Sequence, residues 1–203
     1  MACFVCDEKP TDSTNPNGES SDCARCGPSV KLNLKNGQRV LEHMGAHILH
    51  DTLLDSSEER CGSCLSPAPM CQIYLQKARG VAGSVSVDRK RSECTNLIHF
   101  NYATATTSTE TSPCSNVPII CPHCPKGSPA VWRYSLHAHF RGRHRLQSPD
   151  HFPIKFSMSQ SEKNGMRKVW NSRFKVQRPR KMKPKNKPAL AISEAHRTRL
   201  CLR

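Results

Sequence analysis

The chain has 203 residues, of which only 36% are hydrophobic and 5% aromatic, so composition favours miniature modules over one large apolar core, which would have little to bury. Twelve cysteines and ten histidines offer another source of stability, because metal ligation adds folding free energy that a thin core lacks. The net charge of +15 lies mostly at one end: residues 160–203 hold fourteen Lys/Arg against two acids, or +12, which leaves +3 for the rest.

The opening MACFVCDEKP has no basic start followed by a long apolar run, and nowhere does the sequence approach the roughly 18 continuous apolar residues of a membrane span. The expected compartment is therefore reducing, where Cys-x-x-Cys pairs are more often metal ligands than disulfides. No membrane partner is expected.

Residues 1–22 read as a flexible segment carrying Cys3-x-x-Cys6, rich in turn formers. Residues 23–52 read as a strand-turn-helix module. Cys23-x-x-Cys26 precedes an alternating strand with Val30, Leu32 and Leu34, an Asn36-Gly37 turn, and a helix from about Gln38 to Leu49. Residues 58–103 form a cysteine-rich module with strand-like CQIYL and SVSV runs, and the Ser/Thr-rich stretch 104–117 reads as a linker. In the finger at 118–146, Ser128-Pro129 suggests an N-cap and first position for a helix AVWRYSLHAHF. A helix within 158–176 opens with the capping-box pair Ser159 and Glu162 and carries Met166, Val169, Trp170 and Phe174. Residues 177–203 form a basic tail, disordered or helical. The fold class expected is a set of small α+β zinc-stabilised modules with that tail appended.

Structural zinc takes four ligands tetrahedrally, and each Cys-x-x-Cys supplies two thiolates from one turn. Cys121, Cys124, His139 and His144 make the strongest set, although fourteen residues rather than twelve separate Cys124 from His139; His137 would restore twelve but lies farther from His144. Cys23, Cys26, His43 and His47 make the second, with the histidines at i and i+4 on one helix face. Cys3 and Cys6 are rivals for pairing with Cys23 and Cys26, and His50 is a rival at the helix end. Cys61, Cys64, Cys71 and Cys94 make an all-cysteine set, with Cys114 a rival for its fourth place. Cys201 reads as a free thiol.

Each set is complete without water, whereas catalytic zinc keeps an open position. His-x-Glu, Walker and Gly-x-Ser-x-Gly patterns are all missing, so neither an enzyme nor a small-molecule substrate is expected. If the last finger read DNA in the usual orientation, Trp132, Ser135 and Ala138 would face the bases, with Asn36, Arg39 and Glu42 as counterparts in the first module. The first three are poor readers of base edges; the first module's three are chemically better, but Asn36 belongs to a turn. Phosphate contact or nuclear import is expected instead from Arg141, Arg143 and Arg145 and from the tail residues Arg178, Arg180, Lys181, Lys183, Lys185 and Lys187.

The segments GQRVLEHMGAHIL, CGSCLSPAPMCQIYL, CSNVPIICPHCPKGSPAVWRYSLHAHF, MRKVWNSR and ISEAHRTRL together resemble a multi-zinc-finger family of mushroom-forming fungi, over nearly the whole chain from Cys23 onward. The last finger resembles the two-Cys/two-His class. The resemblance implies zinc binding, a shared Cys/His frame and a nuclear role, without an assigned activity. The expected partner is DNA or chromatin, with another protein as the alternative.

Overall fold

The structure is a computed structural model that describes residues 20–68, 70–77, 84–144 and 157–175. Cys3, Cys6, Cys201, Arg145 and the tail residues Arg178, Arg180, Lys181, Lys183, Lys185 and Lys187 lie outside the described residues, as do the basic tail as a whole and the flexible segment up to residue 19. Among the described residues, no helix is long and apolar enough to cross a membrane.

The described chain is a mixed α+β structure of short antiparallel strand pairs and short helices. Strands β1 (Ser20–Cys23) and β2 (Gly27–Asn33) pair with a register shift at Asp22/Cys23, which bends the ribbon at the first cysteine. Gly27 follows Cys26 at φ +67°, a conformation that suits a residue without Cβ. Leu65 occupies the equivalent position after Cys64 at φ 65°; there, burial of an apolar side chain offsets the backbone cost.

Helix α1 spans Gly37–His50, close to the expected limits. The Asn36 side chain accepts from the Arg39 N–H at 3.3 Å, capping the first turn. Val40, Leu41 and Met44 then fall on the face turned to the core, with His43 and His47 buried beside them. Strands β3 (Leu75–Lys77) and β4 (Val85–Val87) form a second hairpin, followed by a single helical turn α2 (Tyr102–Ala105).

Two expectations fail here. The segment 104–117 is not a linker throughout: Ala105, Cys114, Ser115 and Asn116 are fully buried and Val117 is nearly so. Its small polar residues suggest a solvated stretch, but Ser115 and Asn116 are bonded internally. The Ser115 N–H donates to Glu162, and Asn116 accepts from the Tyr134 N–H at 3.0 Å. The second failure is the helix expected from Ala130. Val131 and Trp132 form strand β6, paired with β5 (Pro118–Ile119), and Ala130 bridges to Ile73. Ser128 closes a turn onto Pro125 instead of capping. A β-branched residue next to a buried tryptophan suits a strand better than a helix start. The helix begins only after a 3-10 turn (Arg133–Ser135), as α3 (Leu136–Arg143).

Helix α4 (Gln160–Ser172) opens as expected, with Ser159 Oγ accepting from the Glu162 N–H at 3.1 Å. The Glu162 side chain does not return to the cap. It is buried against Ser115 and Tyr134, while Met166 is fully buried under α1. Gly45 permits that approach: a Cβ there would lie 3.0–3.3 Å from Tyr134, Cys114 and Met166. Phe174 falls beyond the helix and is exposed.

One apolar core joins residues from the first module to α4, including Leu41, Ile73, Val117, Trp132 and Met166. A smaller satellite core holds Cys121, Val131 and Leu136, with Cys124 and Phe140 beside them.

Candidate metal centres

All twelve predicted ligands converge, and they do so in the three expected groups. Within each group the ligating atoms lie within 4.8 Å of one another. A tetrahedral ion with bonds of about 2.3 Å to sulfur and about 2.0–2.1 Å to nitrogen would set S···S near about 3.8 Å and S···N near about 3.6 Å. The first centre matches: His47 Nε2 lies 3.5 Å from Cys23 Sγ and 3.2 Å from Cys26 Sγ, and His43 Nε2 lies 3.7 Å from Cys26 Sγ. In the second, sulfurs stand 3.9 Å apart for Cys61–Cys94, 3.8 Å for Cys64–Cys94 and 3.4 Å for Cys64–Cys71. In the third, His144 Nε2 lies 3.5 Å from Cys121 Sγ and 3.4 Å from Cys124 Sγ, and His139 Nε2 lies 3.3 Å from Cys124 Sγ. These separations are far above a disulfide bond, and all nine cysteines among the described residues are free.

Local structure explains the convergence. Each Cys-x-x-Cys among the described residues sits in a tight turn, and the i, i+4 histidines of α1 aim both Nε2 atoms at the first turn. In the third centre, His139 comes from the middle of α3 and His144 from its C-cap.

The electrostatics of the thiols are compatible with a bound cation. Burial opposes a thiolate at Cys23, yet hydrogen bonds from His43 and His47 outweigh it and hold the thiol at about 5. Burial and the neighbouring Cys23 charge push Cys26 up to about 11. Burial and Cys121 likewise push Cys124 up to about 11. In the all-cysteine centre, Cys64 is held low by hydrogen bonds from Cys61 and Cys94, whereas hydrogen bonding to Cys64 drives Cys61 upward. Burial and Cys64 push Cys71 up to about 12. Adjacent thiols therefore resist ionising together, and a bound dication removes that conflict. The donor set of thiolate and imidazole at tetrahedral spacing is compatible with zinc.

Of the rival ligands, Cys114 is fully buried against Leu41, and burial pushes its thiol up to about 12; it joins no centre. His137 contacts Arg141, and His50 packs near Trp170, so neither enters a ligand group.

Of the six base-reading positions, Asn36 and Arg39 are exposed and the other four are buried. Trp132, Ser135 and Ala138 are all buried, and Ser135 Oγ bonds the Arg60 backbone. Glu42 is buried against Arg39 and Ser112. Arg141 and Arg143 are exposed on the last turn of α3.

Four residues near the centres escape a reading of the sequence. Asp51 accepts from His47 Nδ1 and Glu59 from His139 Nδ1, each at 2.9 Å. Trp170 meets His47 edge-on at 5.2 Å, and the Arg173 guanidinium, stacked on Trp170, draws the Cys26 thiol downward against burial. An acidic residue four places after a ligand histidine could have flagged Asp51; nothing local to the sequence marks the other three.

Among the described residues, the fold and these clusters define a small α+β structure with three four-donor Cys/His centres capable of holding metal. No protein family, curated protein or solved structure matches the chain.

Proposed function

We propose that the chain is a zinc-binding nuclear protein that works as a binding module rather than as an enzyme, contacting nucleic acid or chromatin through phosphates rather than base edges. The observation that carries this reading is a separation of roles. Three centres each present a full set of four protein donors, which suits structural zinc, while +12 of the +15 net charge lies in residues 160–203, which hold none of the twelve ligands. Burial of Trp132, Ser135 and Ala138 argues against reading bases with α3. Arg141 and Arg143, together with the tail's Lys/Arg run, supply phosphate contacts whose affinity falls with salt.

The test is binding of the zinc-loaded full chain to random duplex DNA across a salt series. The expected result is a linear fall of log K with log salt. Changing Lys181, Lys183, Lys185 and Lys187 to Gln should make that slope shallower by about 0.9 for each phosphate no longer neutralised. Absence of binding at low salt overturns the reading. A second reading is a protein-interaction module whose tail serves only import; it is supported by the same buried reader positions alongside exposed Met70 (71%) and Ile120 (63%).

A further inference from the structure

We propose that Asp51 and Glu59 are positioning residues for the first and third metal centres, and that the third centre is completed by a carboxylate from the cysteine-rich module. The proposal rests on the metal reading above and adds to it the groups that orient two of the ligands.

A ligating imidazole offers one nitrogen lone pair to the ion and keeps a proton on the other nitrogen. A carboxylate accepting that proton's hydrogen bond fixes the tautomer, the ring's rotation and its basicity. In both mixed centres the Nε2 of one histidine points at the thiols while its Nδ1 faces a carboxylate at 2.9 Å.

At the first centre the carboxylate is itself tied to the cysteine turn. Asp51 Oδ2 also receives Arg25 Nε at 3.2 Å, and Arg25 lies between Cys23 and Cys26. Asp51 is the C-cap of α1, its N–H donating to the His47 carbonyl at 2.9 Å, and its Oδ1 accepts from the Leu53 N–H at 3.0 Å. Both carboxylate oxygens are thus engaged, and turn, carboxylate and histidine form one closed ring of contacts.

At the third centre the carboxylate comes from 80 residues away in sequence. Glu59 precedes Cys61, a ligand of the second centre, by two positions. Its backbone is held by the Ala68 N–H at 2.8 Å, and the next residue is locked to the start of α3 by the Ser135 hydroxyl, which accepts from Arg60 N–H at 3.1 Å and donates to Arg60 O at 2.9 Å. His139 is 3% exposed at its side chain, so Glu59 stands where water would otherwise have to satisfy Nδ1. The all-cysteine centre has no imidazole to orient, which makes it an internal control.

The experiment uses the full chain loaded with cobalt(II), whose thiolate charge-transfer and d–d bands report each ligand class, and with zinc for competition against a chelator of known affinity. Histidine ring nitrogen NMR of the zinc form follows Nδ1–H directly. Glu59→Ala is expected to weaken the third centre by about 10-fold to 100-fold and to abolish the slowly exchanging His139 Nδ1–H signal, with the all-cysteine bands unchanged. Glu59→Gln, which keeps an acceptor without the charge, is expected to retain the signal and recover part of the affinity. Asp51→Asn should do the same at the first centre. Unchanged affinity in Glu59→Ala, or equal loss at all three centres, overturns the proposal while leaving the metal reading intact. A wild-type chain that takes up cobalt without thiolate bands overturns both.

Discussion

The first and third centres share a ligand set, two cysteines and two histidines, but sit in unlike surroundings. The first is embedded in the main core: α1 presents His43 and His47 from a 14-residue helix that packs on α4, and Trp170 closes over His47. The third rests on an 8-residue helix over a satellite core of three buried side chains, with Trp132 of β6 reaching into the main core while its neighbour Val131 serves the satellite. Where apolar burial is plentiful a bound metal would reinforce a structure that packing already favours. Where it is scarce a bound metal would carry most of the local stability.

The sharpest way to break that contrast is to remove a ligand from each centre. Structural zinc contributes about 10–16 kcal/mol in isolated fingers, so loss of a thiolate is the largest single perturbation available. Cys121→Ser is expected to strip amide protection from α3 and β6 and leave α1 protected. Cys23→Ser is expected to lower protection in β1, β2, α1 and α4 together, because those elements share one core. Hydrogen exchange of the metal-loaded proteins checks this, and the contrast collapses if Cys121→Ser unprotects α1 or Cys23→Ser spares α4.

Next in size are the core leucines. Leu41 and Leu136 are both fully buried, one in each core, and truncation to alanine costs about 2–5 kcal/mol at such sites. Leu41→Ala should appear as an earlier global denaturation midpoint. Leu136→Ala should appear instead as faster local opening of α3 with the global midpoint nearly unchanged. Equal midpoint shifts for the two variants would mean that the satellite core is not separable from the main one.

The ligands are legible because metal coordination is written in short spacings: Cys-x-x-Cys turns and histidines at i, i+4 keep their meaning whatever surrounds them. Helix α1 is legible for the same reason, its apolar and histidine positions sharing one period. Long-range partnership is not. Ser115 and Asn116 look like linker residues until Glu162 and Tyr134 arrive from elsewhere in the chain to bond them. Ser128-Pro129 is a sound cap signal in isolation, but pairing of Val131 with Ile119 and bridging of Ala130 to Ile73 override it. Glu59 has no local cue at all, since its value depends on a histidine 80 residues away.

The smallest expected effect tests how α4 is linked to the first centre. Ser159 caps α4 through one bond, from the Glu162 N–H, and the reciprocal bond of a full capping box is missing because Glu162 is turned inward to Ser115 and Tyr134. Ser159→Ala should therefore cost about 1 kcal/mol, the usual worth of such a cap. Because Trp170 of the same helix packs on His47, that loss should be felt at the first centre and not at the third. If metal leaves the first centre through fraying of α4, a shift of about 1 kcal/mol quickens chelator-driven release there by about fivefold. Release from the third centre, whose histidines contact Phe140 and His123 instead of α4, should keep its wild-type rate. Equal acceleration at both would show that α4 stabilises the chain as a whole; acceleration at the first centre alone would make the helix its cover.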